Sequence, residues 1–178
     1  MRMTKQQLLE AIPGISHAPI DKYLPFIQAA MDEFEINTKL RIAAFLAQIV
    51  HETLAFQFLR EIWGPTEAQK RYEGRLDLGN TTVGDGKRFK GRGAIQLTGR
   101  KNYKIYGDQL GLPLETNPDL AASPEVAFRI AGAFWRDHEL NELADQSRFE
   151  LITRRINGGL NGLAERRVYY EALLKSLA

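Results

Sequence analysis

The sequence predicts a mainly α-helical protein that is interrupted by one glycine-rich excursion. Most apolar residues recur with the spacing of helices, and several of these segments begin with a recognisable capping residue. Residues 73–97 depart from this spacing, because six glycines punctuate them. Hydrophobic residues make up 44% of the chain and charged residues 26%, which is typical of a globular protein with a packed core.

The first three helices are predicted at 4–11, 19–34 and 38–51. Thr4 and Gln7 fit the capping-box pattern, in which the first side chain accepts a backbone N–H and the second reaches back to the cap. The segment 40–50 is apolar almost all round its helix, which is typical of a helix inside a protein. We therefore expect helix 38–51 to be the central one.

The middle of the chain combines short helices with loop. Thr66 and Gln69 fit a second capping box and predict a helix at 66–72. The glycine-rich residues 73–97 are expected to form a loop or a small hairpin. A helix is predicted to follow at 98–110.

The last three helices are predicted at 124–138, 148–156 and 163–177. Pro124 after Ser123 indicates a helix start, because proline in the first turn lacks an N–H that would be unpaired anyway. In the last helix, one apolar face packs on the body of the protein, and it comprises Tyr170, Leu173, Leu174 and Leu177. Arg166 lies one turn earlier on the same inward side.

The composition excludes several classes of protein. The chain has no cysteine and therefore no disulfide framework, thiolate metal site or cysteine nucleophile. No stretch approaches the roughly 18 apolar residues of a membrane span, and the first residues lack the apolar core of a signal peptide. The net charge is only +2, but seven Lys and Arg and no acidic residue fall between Lys87 and Lys104.

His51, Glu52 and Thr53 stand where the most apolar helix ends. A carboxyl group beside a low-dielectric wall tends to keep its proton, as a general acid must near neutral pH. A glutamate that reaches solvent from a helix end fits the sequence equally well. His51 and Glu52 also form half of the zinc motif H-E-x-x-H, but position 55 is alanine, so we predict no metal site.

Glu61 is the second carboxylate that suits acid/base chemistry. On one continuous helix, Glu52 and Glu61 would point to opposite faces, roughly 13 Å apart along the axis. A shared substrate therefore requires the helix to end or bend between Thr53 and Arg60, although this segment contains no glycine or proline. Taken alone, Glu61 fits a solvated surface charge better.

The segment 89–103 combines glycines with uncharged polar side chains. Its glycines allow a ligand close to the main chain, while Gln96, Thr98 and Asn102 offer donors and acceptors that suit hydroxyl and acetamido groups. The segment matches no phosphate-loop pattern and no recognised nucleic-acid motif, so we predict no nucleic-acid partner. A solvated basic loop is the alternative.

Asn157 belongs to an Asn-Gly-Gly sequence before the last predicted helix. Such a sequence is first of all a turn between two helices. A second interpretation is that the Asn157 amide binds a water molecule or a sugar.

Together, these four segments resemble glycoside hydrolase family 19, which includes chitinases and the peptidoglycan-cutting endolysins of phages and bacteria. The matching segments run from about Leu40 to Tyr170. The resemblance implies a mainly helical, lysozyme-like α+β fold with two helical lobes around a substrate cleft. We expect a single catalytic domain over 1–178, without a separate wall-binding module.

The resemblance also implies a role for each candidate residue. Glu52 would be the general acid, Glu61 the general base that activates water, and Thr98 would help to hold that water. The substrate-binding residues would be His51, Gln96, Asn102, Tyr103, Asn157 and Arg166. Arg166 would also reach toward the carboxylates and, with Arg60, keep Glu61 ionised. Catalysis of this kind needs no cofactor.

The substrate expectation rests on departures from the plant chitinases. The chain lacks their long insertion between the two glutamates and their disulfides, and its Tyr72-Glu73-Gly74-Arg75 sequence looks like the phage and prophage branch. We therefore expect peptidoglycan glycan strands as the substrate. The alternatives are a chitinase and, in another class, a non-catalytic protein that binds glycan or nucleic acid.

The same resemblance sets expectations for the cellular role. We expect a monomer that does not insert stably into membranes. It would be made in the cytoplasm of a host bacterium and act on periplasmic peptidoglycan after release by another protein, such as a phage holin.

Overall fold

The computed structural model describes residues 1–178 and is mainly helical, as the sequence predicts. Its α-helices are α1 (Lys5–Ala11), α2 (His17–Glu33), α3 (Lys39–Glu52), α4 (Glu67–Lys70), α5 (Asp85–Arg88), α6 (Arg100–Leu110), α7 (Pro124–Asp137), α8 (Leu140–Asp145), α9 (Phe149–Asn157) and α10 (Leu163–Ser176). Two 3-10 helices cover Leu76–Leu78 and Pro118–Ala122. None of the helices combines the length and apolar character of a membrane span.

The chain divides into two compact units. The first unit comprises Met1–Gln57 and Ala131–Ala178, and the second comprises Phe58–Ile130. Helix α7 begins in the second unit, and its residues from Ala131 onward belong to the first.

The first unit is built around α3. Every residue from Ile42 to Val50 is buried, because this helix is apolar on nearly all sides. Helix α10 packs against α3 and also against α1. The rings of Phe45 and Trp135 meet edge to face with 5.2 Å between their centroids. The prediction of a central helix is confirmed.

Local hydrogen bonding sets the helix starts that the sequence indicated. Both capping boxes are present, one formed by Thr4 and Gln7 and the other by Thr66 and Gln69. Each of these pairs lies within one turn, so its contacts need no support from the rest of the fold. The helix that follows Thr66 is shorter than predicted and ends at Lys70.

The glycine-rich residues 73–97 contain more helix than their composition indicates. They include the 3-10 helix Leu76–Leu78 and the short helix α5. The other residues are turn and loop, as predicted, and the expected hairpin is limited to one antiparallel bridge, in which Arg92 and Leu97 exchange hydrogen bonds of 3.1 and 2.7 Å. These helical segments are too short to produce a periodic pattern.

Helix α8 is also absent from the prediction. Glu139 has a left-handed φ of +53° and separates α8 from α7. Leu140, Leu143 and Ala144 of α8 are buried. Packing, rather than a sequence pattern, stabilises this short helix.

Candidate active-site residues

Helix α3 ends at Glu52, and the chain then makes a tight turn. Residues 54–56 have φ values of +48°, +56° and +66°, a region that residues with side chains rarely adopt. The Thr53 hydroxyl donates to the Ile49 carbonyl at 2.6 Å and accepts from the Phe56 N–H at 2.9 Å. The predicted end of this helix before the second glutamate is confirmed, although no glycine or proline produces it.

Glu52 is half-buried and bound by a guanidinium group. Arg166 Nη2 donates to Glu52 Oε1 at 2.6 Å. The other donors of Arg166 reach Gln48 Oε1 at 2.5 Å and the Asn161 carbonyl at 3.1 Å. Arg166 therefore fixes the orientation of the Glu52 carboxyl group.

The prediction for Arg166 holds in one respect and needs correction in another. Arg166 reaches one of the two carboxylates, that of Glu52. Its side chain is 1% exposed, so the predicted direct role in substrate binding is wrong. This burial follows from the inward face of α10, which carries Arg166 into the core against α3. Its predicted effect on Glu61 stays a prediction.

His51 is held by α10. Its Nδ1 contacts the carboxylate of Glu165. Gly162, with a φ of +71°, approaches so closely that a Cβ there would lie 2.2 Å from the ring Cε1. Because 22% of the His51 side chain is exposed, its role in substrate binding stays a prediction.

Glu61 lies in the second unit, where hydrogen-bond donors surround its carboxylate. The Gly91 N–H donates to Oε1 at 2.6 Å, while Gln69 Nε2 and the Tyr72 hydroxyl donate to Oε2 at 3.2 and 3.4 Å. Burial and, next, the negative charge of Glu61 raise the pKa of Tyr72. Donors on both oxygens hold the Glu61 carboxylate in one orientation.

Sequence reasoning missed Gln69 and Tyr72 as parts of this site. Gln69 is buried, and its Oε1 accepts hydrogen bonds from the N–H groups of Gly64 and Thr66 while its Nε2 is turned to the glutamate. The capping-box pattern in the sequence predicts only the contact of Gln69 with the helix start, and not its contact with Glu61. A glutamine has both an acceptor and a donor at its end, so one residue can serve a helix cap and a carboxylate together.

Three predicted polar residues lie in the same unit as Glu61. A Cβ placed on Gly91 would lie 2.4 Å from Gln96 Oε1 and 3.3 Å from Glu61 Oε1, so both side chains approach one backbone position. Asn102 Nδ2 donates to the Thr98 carbonyl at 2.8 Å. Gln96 is exposed and Thr98 is half-buried, and their proposed contacts with substrate stay predictions.

Tyr103 is the second correction among the predicted binding residues. Its side chain is fully buried and packs edge to face on Phe89, with 5.2 Å between ring centroids. Its hydroxyl donates to the Lys90 carbonyl at 2.6 Å and accepts from Arg92 Nη1 at 3.0 Å. Burial raises its pKa to about 12. Tyr103 is part of the core because it lies on the inner face of α6.

Asn157 ends α9 in the first unit. Gly158 follows with a φ of +76°, which confirms the predicted turn. Asn157 Oδ1 accepts from the Asn161 N–H at 3.4 Å, and the residue is exposed. Its amide nitrogen makes no hydrogen bond with the protein, so its predicted contact with a sugar stays open.

The structure thus places the candidates in two groups. The first unit holds His51, Glu52, Asn157 and Arg166, and the second holds Glu61, Gln96, Thr98, Asn102 and Tyr103. No three His, Cys, Asp or Glu side chains are grouped so that they could hold a metal ion.

Known proteins resemble this chain in sequence. The family model described as chitinase class I, of glycoside hydrolase family 19, matches residues 21–168. A glycosyl hydrolase family 19 domain-containing protein of Haemophilus influenzae is 33% identical over 175 residues, which cover 83% of this chain and 86% of that protein. An endochitinase of Arabidopsis thaliana is 43% identical over 122 residues, or 68% of this chain, which spans only 40% of the plant protein.

Solved structures share the fold. Chitinase C from Streptomyces griseus superposes with a TM-score of 0.75 at 25% identity, over 98% of this chain and 76% of its own. A bacterial family 19 chitinase gives a TM-score of 0.77 at 24% identity, over 98% and 94% of the two chains. The predicted fold class is confirmed.

Proposed function

Because the chain belongs to glycoside hydrolase family 19, we propose that it cleaves β-1,4 bonds of a polymer containing N-acetylglucosamine, with inversion at the anomeric carbon. The observation that carries this proposal is the contrast between its two glutamates. One oxygen of Glu52 is bound by a guanidinium, whereas both oxygens of Glu61 accept hydrogen bonds from uncharged donors. Acid and base roles require two carboxyl groups in different surroundings.

Glu52 is the proposed general acid. Arg166 occupies Oε1, and Oε2 makes no hydrogen bond with the protein. A proton on Oε2 is therefore the one delivered to the glycosidic oxygen as the bond to the anomeric carbon breaks. Arg166 acts as a positioning residue, because it fixes the carboxyl group without touching the substrate.

Glu61 is the proposed general base. It takes a proton from water while the water oxygen bonds to the anomeric carbon on the face opposite the leaving group. The N–H of Gly91 and the side chains of Gln69 and Tyr72 hold the carboxylate in one orientation. The Thr98 hydroxyl is the proposed partner that holds this water.

Chitin is the first candidate substrate. The Arabidopsis relative is named an endochitinase, and the Streptomyces griseus neighbour is a chitinase. A polymer of N-acetylglucosamine alone also fits the uncharged polar side chains Gln96, Thr98 and Asn102, which suit acetamido and hydroxyl groups.

Peptidoglycan is the second candidate. It has the same β-1,4 backbone with N-acetylglucosamine in alternate positions, and the short segment between the two glutamates favours it. If peptidoglycan is the substrate, the protein acts on bacterial cell walls, as an endolysin does. Mass spectrometry of products from purified peptidoglycan and from chitin distinguishes the two substrates and identifies which bond of peptidoglycan is cut.

The role of Glu52 is tested by Glu52→Gln, which keeps the shape of the side chain and removes the transferable proton. We expect the release of reducing ends from glycol chitin to fall about 100-fold or more. Glu67→Gln is the control, because Glu67 is exposed and paired only with Lys70. Retention of more than a few per cent of activity by Glu52→Gln would exclude Glu52 as the acid.

The role of Glu61 is tested by Glu61→Ala with added azide, a nucleophile that needs no base. Azide should restore turnover and give an α-glycosyl azide from the β-linked substrate. Recovery of a β-azide would contradict an inverting base at this position.

A further inference from the structure

Lys90 is a partly buried cation next to Glu61 for which the protein supplies no partner. Its ammonium group makes no hydrogen bond or ion pair, although the residue is half-buried. Burial and, next, the nearby Arg92 and Arg60 lower the pKa of Lys90, and the negative charges of Glu61 and Asp119 offset this only in part. Because no anion contacts the ammonium group directly, Lys90 sits where a further anion would be stabilising.

The backbone fixes Lys90 beside the proposed base. Residues 59–61 run antiparallel to residues 91–93, with Arg60 opposite Arg92. The Glu61 N–H donates to the Gly91 carbonyl at 2.9 Å, and the Gly91 N–H donates to the Glu61 carboxylate at 2.6 Å. The Lys90 carbonyl is bound by the buried Tyr103 hydroxyl at 2.6 Å. The position of Lys90 relative to Glu61 is thus set by three hydrogen bonds.

The charged groups around Lys90 leave an excess of positive charge. Arg60 is exposed and makes no ion pair, and Arg92 is buried with its Nε unpaired. Asp119 binds Arg92 Nη2 at 3.0 Å, while the oxygens of Glu61 are already occupied by uncharged donors. The two nearby acids therefore have other partners.

We propose that Lys90, assisted by Arg60, forms a subsite that binds a carboxylate carried by the glycan next to Glu61. This inference rests on the proposed glycoside hydrolase function and specifies its substrate class. Chitin is uncharged, whereas peptidoglycan strands carry carboxylates on the peptide stems of alternate sugars, or on the lactyl groups of those sugars where the stem has been removed. The subsite gives carboxylated N-acetylated glycans an advantage over neutral ones.

The test compares carboxymethyl chitin with neutral glycol chitin. The wild-type protein should show a kcat/KM about tenfold higher on carboxymethyl chitin, as one charge-assisted contact provides. Lys90→Met should abolish this preference through KM and leave the activity on glycol chitin within about twofold of wild type. The preference should also shrink as ionic strength rises.

Two variants serve as controls. Lys104→Met removes the same charge from the same unit, at an exposed residue paired with Asp108, and should keep the preference. Lys90→Arg keeps the charge and should retain most of the preference for carboxymethyl chitin. This variant separates charge recognition from a folding defect in Lys90→Met. Equal losses on both polymers, or a wild-type protein without preference, would overturn the inference.

Binding measured by calorimetry separates this inference from the proposed function. If the wild-type protein cuts neither polymer, the proposed function fails, and Lys90 is still tested by whether Lys90→Met weakens binding of carboxymethyl chitin alone. No difference in binding would overturn the subsite. Peptidoglycan strands with and without their peptide stems then distinguish a stem carboxylate from a lactyl carboxylate.

Discussion

Glu52 lies at the end of α3 because three residues that follow it adopt a left-handed backbone conformation. Residues 54–56 each have positive φ, which costs an L-residue roughly 1–2 kcal/mol. The Thr53 hydroxyl, the buried ring of Phe56 and the hydrogen bond from the Ala55 N–H to the Val50 carbonyl at 2.8 Å maintain the turn. Strain of this kind persists only where the surrounding contacts over-determine it.

The left-handed turn predicts how a glycine substitution changes the stability of the protein. Ala55→Gly should leave the free energy of unfolding in urea within about 0.5 kcal/mol of wild type, because relief of strain offsets the greater freedom of glycine in the unfolded chain. Ala47→Gly, in the buried interior of α3, is the matched control and should cost about 1 kcal/mol or more. Equal losses in both variants would show that residue 55 carries no strain.

At the scale of elements, an ion-pair network organises the glycine-rich excursion. Arg100, in the first turn of α6, donates to both oxygens of Asp85 at 2.9 and 2.6 Å and to Glu115 at 3.1 Å. Its N–H is bound by Asn80 Oδ1 at 2.9 Å. The hydrogen bonds from Arg100 lower the pKa of Asp85. This network joins helices α5 and α6. It stabilises short, polar segments that have little apolar surface to pack.

Asp85→Asn should destabilise the protein by about 2–3 kcal/mol at pH 7, because Arg100 loses a buried anionic partner. Since the folded state lowers the pKa of Asp85, its contribution is complete above the ordinary value of 3.8 and is lost as pH falls through the lower folded value. The difference between wild type and variant should therefore shrink in urea unfolding below about pH 3.8.

Asp108→Asn is the control for this prediction. Asp108 pairs with Lys104 on the surface, with 70% of its side chain exposed, and its replacement should change stability by less than about 0.5 kcal/mol. A loss in Asp85→Asn that is independent of pH would show that shape, rather than charge, accounts for the effect.

At the scale of the whole molecule, four of the seven cations in the basic stretch between Lys87 and Lys104 are bound within the protein. Arg88 donates to main-chain carbonyls, and three further members have acidic partners, namely Arg92, Arg100 and Lys104. A net charge of +2 then provides little general attraction to polyanions. Recognition of charge on a substrate is left to particular residues such as Lys90.

Chelators and reductants should leave the protein unchanged. Carboxyl groups supply both proposed proton transfers, no cluster of side chains is arranged to bind a metal ion, and the chain has no cysteine. Excess EDTA or dithiothreitol should alter neither the melting temperature nor the turnover of glycol chitin. A loss of activity in EDTA that Zn²⁺ or Mg²⁺ restores would contradict this expectation.

Much of the fold could be predicted, because the longer helices have their own caps and apolar faces. The start of α1 depends on Thr4 and Gln7, and the burial of α3 on its apolar segment, and both are local in sequence. The short helices α5 and α8 could not be predicted, because their stability comes from the Asp85–Arg100 pair and from buried leucines of α8. The sequence also predicts Tyr103 wrongly as a binding residue, because composition does not reveal which side of α6 faces the core.

The sequence by itself determined the longer helices, the family and the two glutamates with a required break between them. Only the tertiary structure decided how that break is made and which partner each glutamate has. Arg166 is 114 residues from Glu52, and Gly91 is 30 residues from Glu61. Caps and periodicity act within a few residues and can be read from the chain. The contacts of a carboxylate depend on which distant segments folding brings to it.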